Sequence, residues 1–324
     1  MREMAKEIGV SIATVSRALR GDPRVLPATR DRVLAAAERM GYEEDPALAA
    51  LNHYREGRRK KSYRGTIAWL TNYATPDGWK EVPTKVAYFE ALRRMAGPRG
   101  YQIEPFWLNA TKMPPARLDR ILFARGVRGI FLSSLPEGRH RIDFNWDRYC
   151  VVSLSETVRH PCVHSAQKST FFDIRTAVSK LAEFGYRRPI LVAHTRYHDG
   201  MHGILEGGFW AATWEFLGRQ RPVFHAHRAE VDEKVRPWIA ETDADSVVAS
   251  VRPPSKGRKT RAEDAWVQLI GVPADAGCSA CTIHHTEVIA KAGLNLLTGM
   301  LQRGEFGIPE HPMVVRVQGL WNTG

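Results

Sequence analysis

Cysteine is scarce in this sequence, long apolar runs are absent, and no internal repeat or low-complexity tract interrupts it. The four cysteines among 324 residues, Cys150, Cys162, Cys278 and Cys281, read as reduced thiols of a cytosolic chain. No uncharged apolar stretch approaches the ~20 residues that span a bilayer. The first residues lack the basic flank and apolar run of an export signal. A cytoplasmic protein with no membrane partner is therefore expected. Catalytic patterns are missing too: there is no nucleophile elbow, no phosphate loop and no spaced acid pair. Asp173 and Glu183 read as solvated positions on a helix. Neither an enzyme nor a cofactor is expected. Cys278, Cys281, His284 and His285 have donors suited to zinc, but complete sites draw ligand pairs from two separate turns and only one lies here. No metal is expected.

What the sequence does contain is positive charge. Lys and Arg number 47 against 35 Asp and Glu, a formal charge of +12. Residues 1–64 alone hold 14 basic against nine acidic side chains. Such a balance favours an anionic partner, of which DNA phosphate is the commonest. At 44% hydrophobic and 25% charged residues, the composition is that of an ordinary globular protein.

The basic N-terminal stretch has a helical pattern. Glu3 to Ile8 places Met4, Ala5 and Ile8 on one face. Gly9 breaks that helix as a tight turn requires. Val10 enters a small core, and Ser11 stands where an N-cap would satisfy the first amides of a second helix. In that helix Val15, Ala18 and Leu19 face inward, leaving Ile12, Ala13, Ser16, Arg17 and Arg20 outside. Pro27-Ala28-Thr29 opens a third helix with Val33, Leu34, Ala37 and Met40 on its buried stripe, ended by Gly41. A short helix that exposes the N-terminal half of one face is what a recognition helix presents to a major groove. Arg17 and Arg20 suit phosphate or a guanine edge. Ser11, Thr14 and Ser16 suit phosphate or short base contacts, and Ile12 and Ala13 a thymine methyl.

The string Met4-Ala5-Lys6-Glu7-Ile8-Gly9-Val10-Ser11, then Ala13 to Leu19, Thr29-Arg30 to Val33, and Gly41-Tyr42, closely resembles the headpiece of the lac-repressor (LacI/GalR) family. The family has residues before helix 1, a capping Thr among them; this sequence opens inside that helix. The resemblance adds Arg24, Thr29 and Tyr42 to the DNA-contact set. It implies a hinge at 45–64, between a headpiece at 1–44 and a core at 65–324. There Asp45-Pro46 caps a short helix, Ala47 to Leu51, which is marginal alone. Paired with its twin in a homodimer, that helix would insert Leu51 into the minor groove and kink the operator. The alternative is a linker helix packed on the core. The basic run Arg55 to Lys61 would add salt-sensitive affinity for the DNA backbone.

Beyond residue 64, apolar runs alternate with amphipathic stretches. Strands are expected at Thr66–Leu70, Ile103–Leu108, Gly129–Leu132, Cys150–Val152, Ile190–Val192, Ser246–Val248 and Trp266–Ile270. Helices are expected at 84–97, 115–124, 170–184, 203–217 and 286–302. The alternation means doubly wound parallel sheets, and the length suggests two lobes. The fold class is thus α/β, a three-helix helix-turn-helix headpiece followed by a core that the resemblance makes periplasmic-binding-protein-like. Its lobes are drawn as 65–160 plus 284–312 and 161–283 plus 313–324.

Family members that sense sugars use an Arg opening the first helix after the first strand of the second lobe, and an Asp near the last crossover. No Arg stands at the expected spot in Tyr197 to Gly203, and no Asp in Thr282 to His285. Trp79, Tyr197, His202 and His284 remain as effector candidates, since aromatic and imidazole groups suit sugar faces and hydroxyls. The expected function is a dimeric repressor of nucleoid DNA that binds double-stranded operator and answers to a small molecule, a carbohydrate being the first class to consider. The alternative is a constitutive DNA-binding dimer that has lost its effector.

Overall fold

A computed structural model describes residues 2–19, 25–40, 64–108, 112–133, 144–158, 160–195, 203–227, 230–254, 260–269, 280–283 and 286–323. Helices α1 (Arg2–Ile8), α2 (Ile12–Leu19) and α3 (Pro27–Arg39) form the first module. Its core is Met4, Ala5, Ile8, Val15, Ala18, Val25, Val33, Ala36 and Ala37. Gly9 takes φ +73°, the left-handed value that lets the chain turn sharply after α1. Arg32 of α3 then donates from Nη2 to the Ile8 carbonyl at 2.7 Å, satisfying an orphan acceptor at the end of α1. Two expected core positions fail. Leu34 is 46% exposed and Met40 39% exposed, while Ala36 is buried in their place. Leu34 lies off the Val33–Ala37 stripe, and Met40 sits beyond the last helical residue, where its side chain leaves the face.

Two parallel sheets follow. The first runs β11-β5-β4-β3-β1-β2, with β1 (Gly65–Thr71), β2 (Tyr101–Trp107), β3 (Gly129–Leu132), β4 (Cys150–Ser153), β5 (His164–Lys168) and β11 (Val314–Val317). Alternation in β1 sends Ile67 and Trp69 to one face and Ala68 and Leu70 to the other, as a strand covered on both faces demands. Helices α4 (Pro83–Ala96) and α9 (Thr286–Arg303) cover the first face; α5 (Pro115–Ala124) covers the second. Pro105 lies in β2, which the strand order puts at the edge, where a missing amide is tolerated. Gly293 lets α9 approach the sheet: a Cβ there would lie 2.5 Å from Leu154.

The second sheet runs β12-β10-β9-β8-β6-β7, with β6 (Pro189–His194), β7 (Val223–Ala226), β8 (Ser246–Ala249), β9 (Trp266–Gln268), β10 (Ala280–Ile283) and β12 (Leu320–Thr323). Only β12 is antiparallel. Helices α6 (Thr170–Glu183) and α7 (Ile204–Leu217) cover one face, and the short α8 (Arg236–Ala240) lies on the other.

The chain passes between lobes after β5, between β10 and α9, and between β11 and β12. The expected boundaries need two corrections. Residues 164–168 and 314–317 belong to the first sheet, where β11 pairs with β5, so the crossings follow Lys168 and Val317 instead of residues 160 and 312. Strand β5 carries no apolar run, because His164-Ser165-Ala166-Gln167-Lys168 is polar. Its first four side chains are nevertheless buried, and His164 Nδ1 accepts the Met313 amide at 2.8 Å. Burial holds His164 below the usual imidazole range, which keeps that nitrogen a neutral acceptor. Among the described residues no helix is long and apolar enough to cross a membrane.

Candidate nucleic-acid interface and inter-lobe cleft

Helix α2 is a short amphipathic rod whose buried side is Val15 and Ala18. Ser11 caps it: its Oγ accepts the Thr14 amide at 3.0 Å and pairs with the Thr14 hydroxyl at 2.9 Å. The cap fixes the helix start, so the outward row is set by spacing alone. Ser11, Ile12, Ala13 and Arg17 are exposed, with Thr14 and Ser16 half-buried beside them. Thr29 is half-buried in the first turn of α3. The structure thus leaves one cation, three hydroxyls and two apolar groups at the start of α2 open to solvent, away from Val15 and Ala18. Such a set of groups can meet phosphates and read a groove. Arg39 and Glu7 pair elsewhere on the module. Arg20, Arg24, Tyr42 and Leu51, with the whole hinge, lie outside the described residues.

The second candidate site lies where strands of both lobes end, the usual place for ligands in open α/β sheets. Trp79 does not serve it as expected. It is 2% exposed and packs in the first lobe's core, 6.0 Å from Trp69 and 5.0 Å from Phe89 between ring centroids. A large apolar ring following a buried strand gains more from that core than from a wet cleft. Tyr197, His202 and His284 lie outside the described residues.

Other groups stand at the strand ends, and the sequence offered no pattern to single them out. His194 closes β6 and its amide donates to Ser250 Oγ, just past β8, at 2.8 Å. His227 follows β7, its ring 5.8 Å from that of His194. The hydroxyls of Thr195, after β6, and Ser133, after β3, are buried without a hydrogen-bond partner among the described residues. Buried hydroxyls of this kind call for a partner. His225 Nε2, on β7, lies 3.5 Å from Glu206 Oε1 on α7.

Charges gather at the crossovers. Glu156, three residues past β4, accepts the Thr170 hydroxyl at 2.8 Å. Asp173, expected in solvent, is instead 3% exposed and accepts the Gly319 amide at 3.0 Å. Burial pushes the Asp173 carboxyl up to about 6, opposed by the charge of Lys168. Burial likewise raises Glu156 and lowers Lys168. No group of three or more His, Cys, Asp or Glu among the described residues is placed to hold a metal. Cys281 is buried, while Cys278, His284 and His285 lie outside the described residues.

Residues 1–45 match the family model described as bacterial regulatory proteins, lacI family. The chain is 30% identical over 241 residues to an uncharacterised HTH-type transcriptional regulator from the aml 5′ region of Streptomyces limosus; the match covers 70% of this chain and 61% of that protein. The chain thus spans about three-fifths of that relative's length. Among solved structures, a transcriptional regulator CelR–cellobiose complex superposes with TM-score 0.56 at 18% identity, covering 99% of this chain and 97% of that one. The Lac repressor dimer bound to operator and the anti-inducer ONPF gives TM-score 0.54 at 14% identity, covering 98% and 96%. At these identities the likeness shows the fold: a helix-turn-helix module ahead of a two-lobed, periplasmic-binding-protein-like core.

Proposed function

Through its first 45 residues the chain belongs to the lacI family of bacterial regulatory proteins, and from that premise we propose a sequence-specific DNA-binding regulator, a repressor, acting as a homodimer in the bacterial cytoplasm. The observation that carries the reading is the outward row of α2, Ser11 to Arg17, held in place by the Ser11 cap and a closed core behind it. Arg17 takes a phosphate or a guanine edge, the hydroxyls of Ser11, Thr14 and Ser16 fix register, and Ile12 and Ala13 meet a thymine methyl. Arg20, Arg24, Thr29 and Tyr42 complete the contact set by resemblance. Two headpieces read two half-sites, and Leu51 from each subunit wedges the centre. Neither catalysis nor a cofactor is part of this reading.

The core responds to a small molecule between the lobes. His194, Thr195, His227 and Ser250 from one lobe and Ser133 from the other offer imidazoles and hydroxyls, which suit a polyhydroxylated ligand such as a sugar. Ligand binding shifts the balance between two lobe arrangements, and with it the spacing of the hinges. The similar CelR regulator is a complex with cellobiose, which supports the class.

The test is a gel shift against promoter DNA from the protein's own gene neighbourhood. Selective binding that weakens with salt is expected; none at all would sink the reading. Leu51→Ala should reduce bending and specificity more than nonspecific binding. A second reading, a DNA-binding dimer that has lost its effector, draws on the burial of Trp79 in the core. A thermal-shift screen with neutral sugars and nucleobases separates the two, since no stabilisation would favour the second.

A further inference from the structure

Helix α6 starts the second lobe without a cap of its own. Ser169, at the N-cap position, makes no side-chain cap bond, and its hydroxyl is buried with no partner among the described residues. The cap comes from the first lobe. Glu156 accepts both the Thr170 hydroxyl and the Thr170 backbone amide. One turn along, Asp173 accepts the Gly319 amide from the third crossover. Two carboxyl groups therefore tie the head of α6 to the passages between lobes. Lys168 Nζ is buried without a hydrogen bond among the described residues, and its charged neighbours are Glu156 and Asp173. Arg316 of β11 also faces Glu156.

Beside this cap lies a cavity of about 350 Å³ lined by Glu156, Thr170, Phe171, Ile204, Gly207, Gly208 and Arg316. That volume is at the lower end for small-molecule sites. Its polar side holds a guanidinium, a hydroxyl and the electropositive head of a 14-residue helix. Its apolar wall ends on two glycines, and a Cβ on Gly207 would meet no atom within 4 Å.

We propose that this cavity takes a small organic anion, of monosaccharide size or less, whose carboxylate or phosphate replaces Glu156 at the head of α6 and on Arg316, and so loosens the second lobe from the first. Helix N-termini present orphan amides and a partial positive charge that favour anions. A planar guanidinium binds a carboxylate or phosphate through paired hydrogen bonds. Glu156 already fills that role from within the chain, so it acts as an internal stand-in for the ligand. Burial disfavours its charged form, which lowers the cost of giving up the position. A neutral sugar supplies no charge for the helix head or Arg316 and cannot displace it. Binding itself needs no DNA; only its consequence for the operator rests on the regulator reading.

The test is calorimetric titration of the full chain with D-gluconate, D-glucose 6-phosphate and D-glucose at millimolar concentration. At least one anion should bind through Arg316 and Gly207, and any binding of glucose, which belongs to the strand-end cleft, should be unchanged in Arg316→Gln and Gly207→Leu. Gluconate alone assigns a carboxylate, the phosphate alone a phosphate ester. Arg316→Gln should weaken binding by about tenfold or more. Gly207→Leu fills the cavity and replaces a poor helix former with a good one, so it should abolish binding while the melting temperature holds or rises. Glu156→Gln removes the competing charge and should tighten binding. No binding by either anion, glucose binding that weakens in Arg316→Gln and Gly207→Leu as much as the anions' does, or anion binding unchanged in those variants overturns the proposal. Gel shifts on the same preparations keep the failures apart: loss of the anion site leaves operator binding intact, whereas absent operator binding leaves the titration readable.

Discussion

The headpiece encloses nine apolar side chains and turns its chemistry outward, whereas the lobe crossovers bury Lys168 Nζ and Asp173 among strands and helices. In the first region the apolar spacing that makes the core also dictates which residues face solvent. In the second, function and packing share the same polar atoms. The lesson is about separability. A face that does not hold the fold together can be changed at small structural cost, while a buried charge cluster changes fold and function at once.

Substitutions sharpen that contrast, beginning with the most disruptive. Val15→Asp places an unpaired charge at a position with 0% exposure in a core of nine residues. The headpiece should unfold, a loss of several kcal/mol, and operator binding should vanish while the two-lobed core melts as before. Calorimetry showing one common transition shifted downward would instead tie the regions together. Arg17→Ala should leave melting unchanged and cost about 1–3 kcal/mol of operator affinity, with a salt slope shallower by about one. An unchanged affinity removes Arg17 from the contact set.

Asp173→Asn tests the second region, and its first readout is stability. The folded carboxyl titrates near 6, above its unfolded value near 3.9. Its contribution is therefore fully present below the unfolded value and is lost as pH rises through 6. The amide keeps an oxygen for the Gly319 amide, so the variant should be more stable than the parent above pH 6, by about 1–2 kcal/mol, the difference closing toward pH 4. Denaturant melts across that window measure it; a variant less stable at pH 8 would show that the attraction of the Lys168 charge outweighs burial. The smallest effect is expected of Ser11→Ala. It loses the Thr14 amide contact and should cost about 1 kcal/mol of headpiece stability, read by thermal melts.

Legibility follows the same division. The turn at Gly9, the cap at Ser11 and the inward row of α2 could be read from spacing, because helical period and capping are local. The strands at Gly65–Thr71, Gly129–Leu132 and Cys150–Ser153 were readable as apolar runs buried on both faces. The strand His164–Lys168 was not, since its pairing partner Val314–Val317 lies about half the chain away and the helix Thr286–Arg303, which packs on it, lies more than a hundred residues on. Trp79 looked like a cleft aromatic and proved to be core, because Trp69 and Phe89 meet it from other elements. His194, His227 and Ser250 come together only because parallel strands end side by side.

By itself the sequence determined a basic helix-turn-helix followed by alternating strands and helices, since both depend on residue type at short spacing. Tertiary structure decided where the lobes divide, which aromatic ring is buried, and that Glu156 of one lobe caps the first helix of the other. Those outcomes depend on long-range pairing of β5 with β11 and on the desolvation of Glu156, Lys168 and Asp173. Neither leaves a periodic trace in the chain, because burial of a polar group is fixed by what packs over it and not by its neighbours in sequence.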